Sequence, residues 1–414
     1  MTTTAPHLTG LELSSVSPER LTGFVAAAVR GFHADPVAEL VTAAADLMEP
    51  ERCFGFTAAE QWVATCTAWG RTLSVPGATV PVAAVSYVTV APSFRRRGLL
   101  RAMMQHQLAD VVRRGREPVA LLWASEAPIY GRFGYGPAVA ALALSGPTSQ
   151  TAFRPEVDLG AGSVGEVDAA TFRRVVPALR ASLVPVQPGR LDRSAGWWDR
   201  EMLDPESQRG GAHERRYALH HGPDGTPDGW VCFRIARKGW EPGEVRVGQL
   251  DGATPQAVAR LWRFVLDLDL IGSFTADTPV DGPLLHLLLD PGSVKATLTD
   301  ATYVRLVDVP GALQARRYAA PLDLVLTVRD EVLPANAGTV RVQVDDNGGC
   351  QVTRVSTDPD VSVGVRELGA VYLGGPSASA LHQAGLLTEH TPGATRAMSA
   401  AFGWSRQPFA DDHF

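Results

Sequence analysis

The feature that most constrains this chain is a junction where a strand pattern runs through a basic turn into a helical pattern. The segment at 86–104 reads SYVTVAPSFRRRGLLRAMM. β-Branched and aromatic residues favour a strand up to Val90, and Pro92 ends its pairing. Apolar residues at helical spacing then predict a helix that begins near Gly98 and ends at Gly115. The fold must therefore place a strand, a cationic turn and a helix N-terminus in direct succession.

This junction suits a phosphate group. Backbone N–H groups at the start of a helix have no intrahelical partner, and the helix dipole adds positive potential there. Arg95, Arg96 and Arg97 contribute bidentate charge, and Gly98 has no Cβ to hinder a phosphate at the backbone. The alternative is a solvated basic turn before an ordinary helix, and the spacing alone does not separate the two. The segment contains neither GK[ST] nor GxGxxG.

The first 150 residues or so predict a mixed α/β arrangement. A Ser-Pro start and helical apolar spacing predict a helix at 17–32. Strands are predicted at 61–69, 72–75, 80–90 and 117–125, the last buried on both faces. The Gly-, Ser-, Pro- and Thr-rich stretch around 145–165 is interpreted as a linker.

The pattern of apolar and polar residues in the rest of the chain changes at about residue 300. Before it, helices are predicted at 167–182 and 254–270, strands at 229–237 and 243–250, and a short helix at 283–291. After it, alternation over 303–316, 322–330, 339–346 and 350–355 predicts an antiparallel sheet with one wet face. Late helices are predicted at 377–387 and 392–403. Length and texture together favour three domains.

Composition excludes several classes of protein. The chain has 414 residues, 45% hydrophobic and 20% charged, as in ordinary globular proteins, with no apolar run long enough for a membrane span. The N-terminus lacks the pattern of a signal peptide. A net charge of −6 disfavours a nucleic-acid partner and mildly favours a cationic one. The four cysteines lack CxxC spacing, which predicts reduced thiols in the cytoplasm and no metal site.

Two motifs carry a resemblance to a known family. VTVAPSFRRRGLLRAMM resembles the V-x-V-x-P-x-x-R-R-x-G-x-L pattern of GNAT acetyltransferases. With ASEAPIYGRFGYGPA at 124–138, it resembles the enhanced intracellular survival (Eis) family of mycobacteria and related actinobacteria. The resemblance covers the whole chain. It implies an α/β (α+β) fold with two GNAT-like acetyltransferase domains followed by a sterol-carrier-protein-like domain.

The resemblance also implies the role of each domain. Residues 1–152 form the N-terminal catalytic GNAT domain. Residues 153–300 form a second GNAT-like domain, expected to be non-catalytic because it lacks the RRxG turn. Residues 301–414 form the sterol-carrier-like domain, whose C-terminal tail enters the active site.

The co-substrate implied by the resemblance is acetyl-CoA. Its diphosphate would lie on the turn at 96–101 and its pantetheine along the preceding strand. The cofactor-binding residues are then Val88, Thr89, Val90, Arg96, Arg97, Gly98, Leu99, Leu100, Arg101, Ser125 and Glu126. Tyr130 would be the general acid that protonates the departing thiolate. Without the resemblance, Tyr130 is interpreted as a core residue and Glu126 as a charge at a helix N-terminus.

The general base implied by the resemblance is the α-carboxylate of Phe414, against the alternative of a frayed tail. The family is expected to carry an acidic residue before the terminal Phe, whereas this chain has His413. Asp411 and Asp412 could compensate, or His413 could take a proton. Candidates to bind the acceptor are Phe24, Phe32, Asp35, Ser86, Tyr87, Asp411, Asp412 and His413.

The leading functional hypothesis is an acetyl-CoA-dependent N-acetyltransferase acting on amines. Its acceptors would be aminoglycosides, polyamine-like compounds or lysine side chains. One alternative keeps the fold with another acceptor or a longer acyl-CoA, and another is a lipid- or ligand-binding module with a degenerate GNAT site. The resemblance further implies a homo-hexamer built as a trimer of dimers.

Overall fold

The computed structural model describes residues 11–414 and divides them into two compact units. Unit 1 contains the described residues up to Val139 together with Ala301–Pro408 and Asp412–Phe414. Unit 2 contains Ala140–Asp300 and Phe409–Asp411.

The elements follow in chain order. Up to residue 139 they are β1 (Glu12–Ser15), α1 (Leu21–Gly31), α2 (Ala38–Leu47), β2 (Phe54–Ala58), β3 (Gln61–Val75), β4 (Ala78–Val90), α3 (Leu99–Arg114), β5 (Val119–Trp123), α4 (Ala127–Tyr130) and β6 (Gly136–Pro137). Unit 2 then supplies β7 (Ala140–Pro147), β8 (Ser163–Val167), α5 (Ala169–Leu183), α6 (Ala195–Met202), β9 (Arg216–His221), β10 (Pro227–Ala236), β11 (Gly243–Gly252), α7 (Pro255–Leu266), β12 (Ile271–Pro279), α8 (Leu284–Leu287) and β13 (Lys295–Asp300). From residue 301 come β14 (Thr302–Leu306), α9 (Val309–Gln314), β15 (Leu322–Arg329), β16 (Gly338–Val344), β17 (Cys350–Arg354), β18 (Val361–Gly364), α10 (Val365–Val371), α11 (Ala378–Gln383), β19 (Leu387–Glu389) and α12 (Ala394–Phe402).

The strand–turn–helix junction forms as the sequence predicts. β4 ends at Val90, and α3 runs for 16 residues from Leu99. Left-handed glycines stand at both of its ends, Gly98 at φ 86° and Gly115 at φ 62°, because a residue without a Cβ adopts that conformation at little cost. The two strands predicted between residues 61 and 75 are one continuous strand, β3.

The main sheet of unit 1 has seven strands in the order β1-β2-β3-β4-β5-β14-β6. β14 pairs antiparallel with β5, for example Val304 with Leu121, and with β6 on its other side. A segment that the sequence assigned to the start of the third domain therefore completes the sheet of the first. The domain boundaries at residues 152 and 300 stay predictions. The sequence could not assign β14 to this sheet, because a short apolar strand carries no local indication of which sheet it joins.

The sheet of unit 2 also has seven strands, in the order β13-β7-β12-β11-β10-β9-β8. β7, which occupies the start of the stretch interpreted as a linker, pairs with β12 and β13. The β11–β12 pair is parallel. Side chains of Asp168, Ser194 and Thr254 accept backbone N–H groups at the starts of α5, α6 and α7, which fixes where these helices begin.

A five-stranded sheet in unit 1 has the order β17-β16-β15-β18-β19. Alternate residues of β15 and β16 are buried, as predicted, but the sheet is mixed because β15 and β18 run parallel. The predicted strand over 303–316 is wrong in its second half, where residues 309–314 form α9. Asp308 accepts the Gly311 N–H, and Pro310 lies in the first turn, so the local sequence starts a helix there. Within residues 11–414, no helix has the length and apolarity needed to cross a membrane.

Candidate active site

A break in sheet pairing opens the site in unit 1. β4 and β5 pair only over Val82–Ala84 and Val119–Leu121, and no pairing between them continues beyond. The β3–β4 register slips at the same level, so that Tyr87 and Val88 lie opposite Cys66 alone. Tyr87 takes φ 51°, and its carbonyl accepts a 2.7 Å hydrogen bond from Thr65 Oγ1. This β-bulge turns backbone groups of β4 toward the gap.

A cavity of about 480 Å³ lies at this gap. It brings together most of the predicted cofactor residues and the predicted general acid: Val88, Thr89, Val90, Arg96, Gly98, Leu99, Leu100, Arg101, Ser125, Glu126 and Tyr130. Phe32, predicted as an acceptor contact, also lines it. Segments separated by up to a hundred residues therefore meet around one volume.

Arg97 is the predicted cofactor residue that does not line this cavity. Its guanidinium donates to the Ser93 carbonyl at 3.1 Å and lies 4.9 Å from the ring centre of Phe94. Arg95, which the sequence analysis named as a source of charge for the phosphate, also lines the cavity. The lining residues that the sequence analysis did not name are Gly31, Phe94, Ile129, Arg132 and Phe133. Arg132 lies in the GRFG motif directly after Tyr130, and a positive charge so close to the predicted general acid was the sequence feature that could have indicated it.

The turn before α3 has the geometry of an anion site. Arg96 adopts φ 63° and Gly98 φ 86°, both in the left-handed region. The N-cap residue of α3 is Gly98, which has no side chain to accept a hydrogen bond from the first N–H groups of the helix. A Cβ built on Gly98 would meet nothing within 4 Å. The left-handed backbone accounts for a glycine at this position, and the open space beside it leaves room for the phosphate that the sequence analysis predicts there.

Tyr130 is buried at the cavity wall, with 7% of its surface exposed. Burial raises the pKa of its phenol above the ordinary value of 10.0, and nearby Cys66 and Glu126 add to the effect. The phenol is therefore protonated at neutral pH. Tyr135 is fully buried, with its ring centre 6.2 Å from that of Tyr130.

The two faces of this sheet carry different groups. Residues that pack on the α3 side include Ala83, Val85, Ala120, Leu122 and Tyr130. Side chains alternate along a strand, so Trp69, Arg71 and Trp123 lie on the opposite face. Tyr87 reaches this face as well, because its ring centre lies 5.5 Å from that of Trp69.

The C-terminal tail is held on the face opposite α3. Trp123 Nε1 donates a 2.7 Å hydrogen bond to the backbone carbonyl of Asp412. The rings of Trp123 and His413 stack at 4.2 Å between centres, and the Asp412 carboxylate lies 4.0 Å from Arg71 Nη2. Phe414, half-buried, follows directly. The gap between β4 and β5 thus lies between the phenol on one face and the chain terminus on the other.

The remaining predicted acceptor residues are dispersed. Phe24 is fully buried with its ring edge-on to Trp62 at 5.4 Å, Asp35 is exposed, and Ser86 is half-buried. Asp411 belongs to unit 2, where its carboxylate lies 2.8 Å from Arg180 Nη2 and 3.8 Å from Arg190 Nε. The negative charge of Asp411 is therefore balanced by these buried arginines.

A second cavity, of about 660 Å³, shares Gly31 and Thr89 with the first. It lies along α1 and the start of β3, with Trp62 in its wall. Glu19 and Glu60 oppose Arg20 and Arg30 in its lining, so its formal charges balance and do not by themselves select a cation.

Neither a metal site nor a disulfide appears in the part of the chain that is described, residues 11–414. No cluster of three or more His, Cys, Asp or Glu residues there could hold a metal ion. Cys53, Cys66 and Cys232 are buried free thiols, and Cys350 is a half-buried one. Burial raises the pKa of Cys53 to about 11, so that thiol is inert at neutral pH.

Family comparisons agree with this architecture. The sequence matches the acetyltransferase (GNAT) domain over residues 12–138, a further acetyltransferase (GNAT) domain over 189–306 and a sterol carrier protein domain over 309–411. An uncharacterized N-acetyltransferase of Streptomyces avermitilis is 40% identical over 89% of this chain and 90% of its own.

Two further relatives carry a more specific name. The N-acetyltransferase Eis of Mycobacterium tuberculosis is 34% identical over 80% of each chain. The crystal structure of Eis1 from Mycobacterium abscessus is 33% identical, with a TM-score of 0.83 over 97% of this chain and 100% of that one.

Proposed function

This chain belongs to the Eis family of GNAT N-acetyltransferases, and we propose that it transfers the acetyl group of acetyl-CoA to a primary amine in the cavity of unit 1. The observation that carries the proposal is the convergence of the β4 bulge, the turn before α3, Ser125, Glu126 and Tyr130 on one volume. A cavity of this size suits one arm of an extended co-substrate.

The binding roles follow from charge and backbone geometry. The free N–H groups at the start of α3, with Arg96 and Arg101, would hold the diphosphate. Backbone groups of Val88, Thr89 and Val90 at the bulge would pair with the pantetheine and polarise the acetyl carbonyl. Arg97 is left out of this set, because its guanidinium is bound within its own turn.

In the transfer step, the amine nitrogen attacks the thioester carbon, the carbon–sulfur bond breaks, and the product is an amide and a free thiol. Tyr130 gives its proton to the departing sulfur. Burial raises the pKa of the phenol, and it would also raise the pKa of a CoA thiol beside it. Proton transfer from the phenol to the thiolate is therefore not opposed by a change in one pKa alone. The acid acts from the face that holds the cofactor turn.

The base acts from the other face. The Phe414 α-carboxylate, directly after the residues held by Trp123 and Arg71, would take the proton that the incoming amine loses. Acid and base would then lie on opposite sides of the gap between β4 and β5, so that the amine can lose its proton on one side while the sulfur gains one on the other. Asp411 is excluded as an acceptor contact in this proposal, since Arg180 and Arg190 hold it.

The acceptor is proposed to be a cationic small amine or a lysine side chain, with aminoglycosides and polyamines as the first classes to test. The face that carries the tail presents the half-buried Tyr87, whose aromatic face can receive a cation. Trp69 is buried, and Trp123 already carries the His413 ring. Free thiols at all four cysteines support a cytoplasmic location. A hexamer remains a proposal from family resemblance, to be measured by mass photometry.

The test is release of free CoA from acetyl-CoA, measured with a panel of aminoglycosides, polyamines and lysine peptides. Untagged protein is compared with a chain that lacks Phe414. Turnover that is lost with the deletion, while acetyl-CoA still binds, supports both the reaction and its terminal base. Failure to bind acetyl-CoA would overturn the proposal and favour a ligand-binding module, and turnover with longer acyl-CoA only would favour the other acyltransferase.

A further inference from the structure

We propose that Trp123 is a positioning residue that fixes the C-terminal carboxylate, and that His413 is its partner in a two-point clamp. The inference rests on the proposed role of the Phe414 carboxylate but concerns residues outside the reacting set. Trp123 ends β5, two residues before Ser125 in the cavity wall. It is joined to Asp412 across 289 positions of sequence.

The first point of the clamp is a hydrogen bond to the backbone. Trp123 Nε1 donates to the Asp412 carbonyl at 2.7 Å. A bond to a carbonyl fixes the path of the chain whatever side chain stands there. Indole nitrogen is a donor only, so it also fixes which way that peptide faces. The Asp412 side chain, 8% exposed, points to Arg71 on β3.

The second point is the ring of His413. It stacks on the indole with 4.2 Å between ring centres and 34° between planes, within the range of favourable aromatic pairs. The two points hold successive residues, so the last free rotations before the carboxylate are those of Phe414 alone. A tail ordered in this way avoids most of the entropy cost of presenting its carboxylate.

The clamp also accounts for a departure from the family pattern. Where an acidic residue is expected before the terminal Phe, this chain has an imidazole, and the imidazole lies on an indole. We infer that the penultimate position here serves to hold the tail and not to bind the acceptor.

The test measures the tail directly, without the acetylation reaction. Carboxypeptidase A removes a C-terminal aromatic residue only when the tail leaves its site, and release of Phe414 is followed by intact mass spectrometry. In Trp123→Phe, which keeps a ring but loses the donor, and in His413→Ala, release is expected to be about five- to tenfold faster than in the native chain. Trp240→Phe is the matched control, since Trp240 is 95% exposed in unit 2. Release at the native rate in both tail variants would overturn the inference.

Kinetics supply the second readout. Each tail variant should lower kcat with any amine substrate while leaving KM for acetyl-CoA unchanged, because the tail lies on the face away from the cofactor turn. His413→Ala is next to the end of the chain and keeps the test usable if Trp123→Phe does not fold. Faster release with unchanged kcat would support the clamp and refute the carboxylate as the base, so the two failures are distinguishable.

Discussion

The carboxylate of Asp411 lies 2.8 Å from the guanidinium of Arg180, and both side chains are almost completely buried. Arg190 approaches the same carboxylate at 3.8 Å, and Arg193 donates to the Asp411 carbonyl at 3.4 Å. Burial opposes ionisation of this group, but the charges of Arg180, Arg190 and Arg193 outweigh it and lower the pKa of Asp411. The segment three residues before the terminus is thus fixed by buried charge within unit 2.

Replacing this carboxylate should destabilise the protein. Asp411→Asn removes one counter-charge from a cluster of buried guanidinium groups, and we expect a loss of about 3–5 kcal/mol in the free energy of unfolding at pH 7. Urea unfolding followed by fluorescence measures it. Asp346→Asn, at an exposed position, is the matched control and should change stability by less than about 0.5 kcal/mol.

The same variant gives a pH dependence with a defined sign. Because the pKa of Asp411 is lower in the folded chain, its contribution is complete above the unfolded Asp pKa of about 3.9 and is lost as the pH falls through the lower folded value. The stability difference between the native chain and Asp411→Asn should therefore be constant from pH 5 to 8 and shrink below about pH 4. A difference that instead grows in acid would contradict this assignment.

Removing the phenol of Tyr130 should slow turnover without affecting cofactor binding. Tyr130→Phe is expected to lower kcat about 10²- to 10⁴-fold, the usual contribution of a general acid, with KM for acetyl-CoA within about twofold of the native value. Tyr135→Phe is the matched control. Tyr135 is also fully buried and its hydroxyl has no hydrogen-bond partner among the described residues, so its loss should leave kcat unchanged.

The pH profile of kcat should show no alkaline decline from Tyr130. Since the pKa of this phenol is raised above 10.0 by burial, the acid form persists below that value. We expect kcat to rise as base and acceptor lose protons and then to stay level to about pH 9.5. A decline between pH 8 and 9 that vanishes in Tyr130→Phe would show that the phenol titrates early and would exclude it as the acid.

Arg96 and Arg97 should differ, although the sequence presents them as equivalent. Arg96→Asn keeps a residue that tolerates the left-handed backbone and removes a charge from the cavity wall, and KM for acetyl-CoA is expected to rise about 10- to 100-fold. Arg97→Asn should raise it less than about twofold, because that guanidinium is held by the Ser93 carbonyl. Equal effects of the two changes would place Arg97 on the cofactor.

Gly98→Ala tests the conformation of the turn. A Cβ has free space there, so the cost is that of a left-handed non-glycine residue, about 1–2 kcal/mol. Most of it should appear as a higher KM for acetyl-CoA, measured with the melting temperature as a check on folding. Gly98→Asn should recover part of the loss, whereas equal losses for Ala and Asn would point to steric hindrance.

Much of the first unit was predictable from local sequence. The existence of α1, α3, β4 and β5, the end of β4 and both ends of α3 follow from apolar spacing, Pro92 and two glycines, since these features act within a few residues. The predicted helix at 17–32 begins only at Leu21, and the predicted strand at 117–125 is confined to Val119–Trp123. The basic turn and Tyr130, which line one cavity, could be proposed as site residues because their motifs are short and contiguous. The place of Arg132 in the cavity wall, and that of Arg97 outside it, were not predicted, because they depend on the direction in which a side chain points.

The sequence by itself determined the elements that depend on neighbouring residues, namely the strand, the basic turn, the helix with its end glycines and an aromatic C-terminus. Only the tertiary structure decided that β14 completes the sheet of residues 12–137, that Asp411 forms ion pairs with buried arginines, and that His413 stacks on Trp123. Each of these relations joins positions far apart in the chain. The energy of such a contact depends on burial and geometry created by the whole fold, and no pattern within a short segment encodes it.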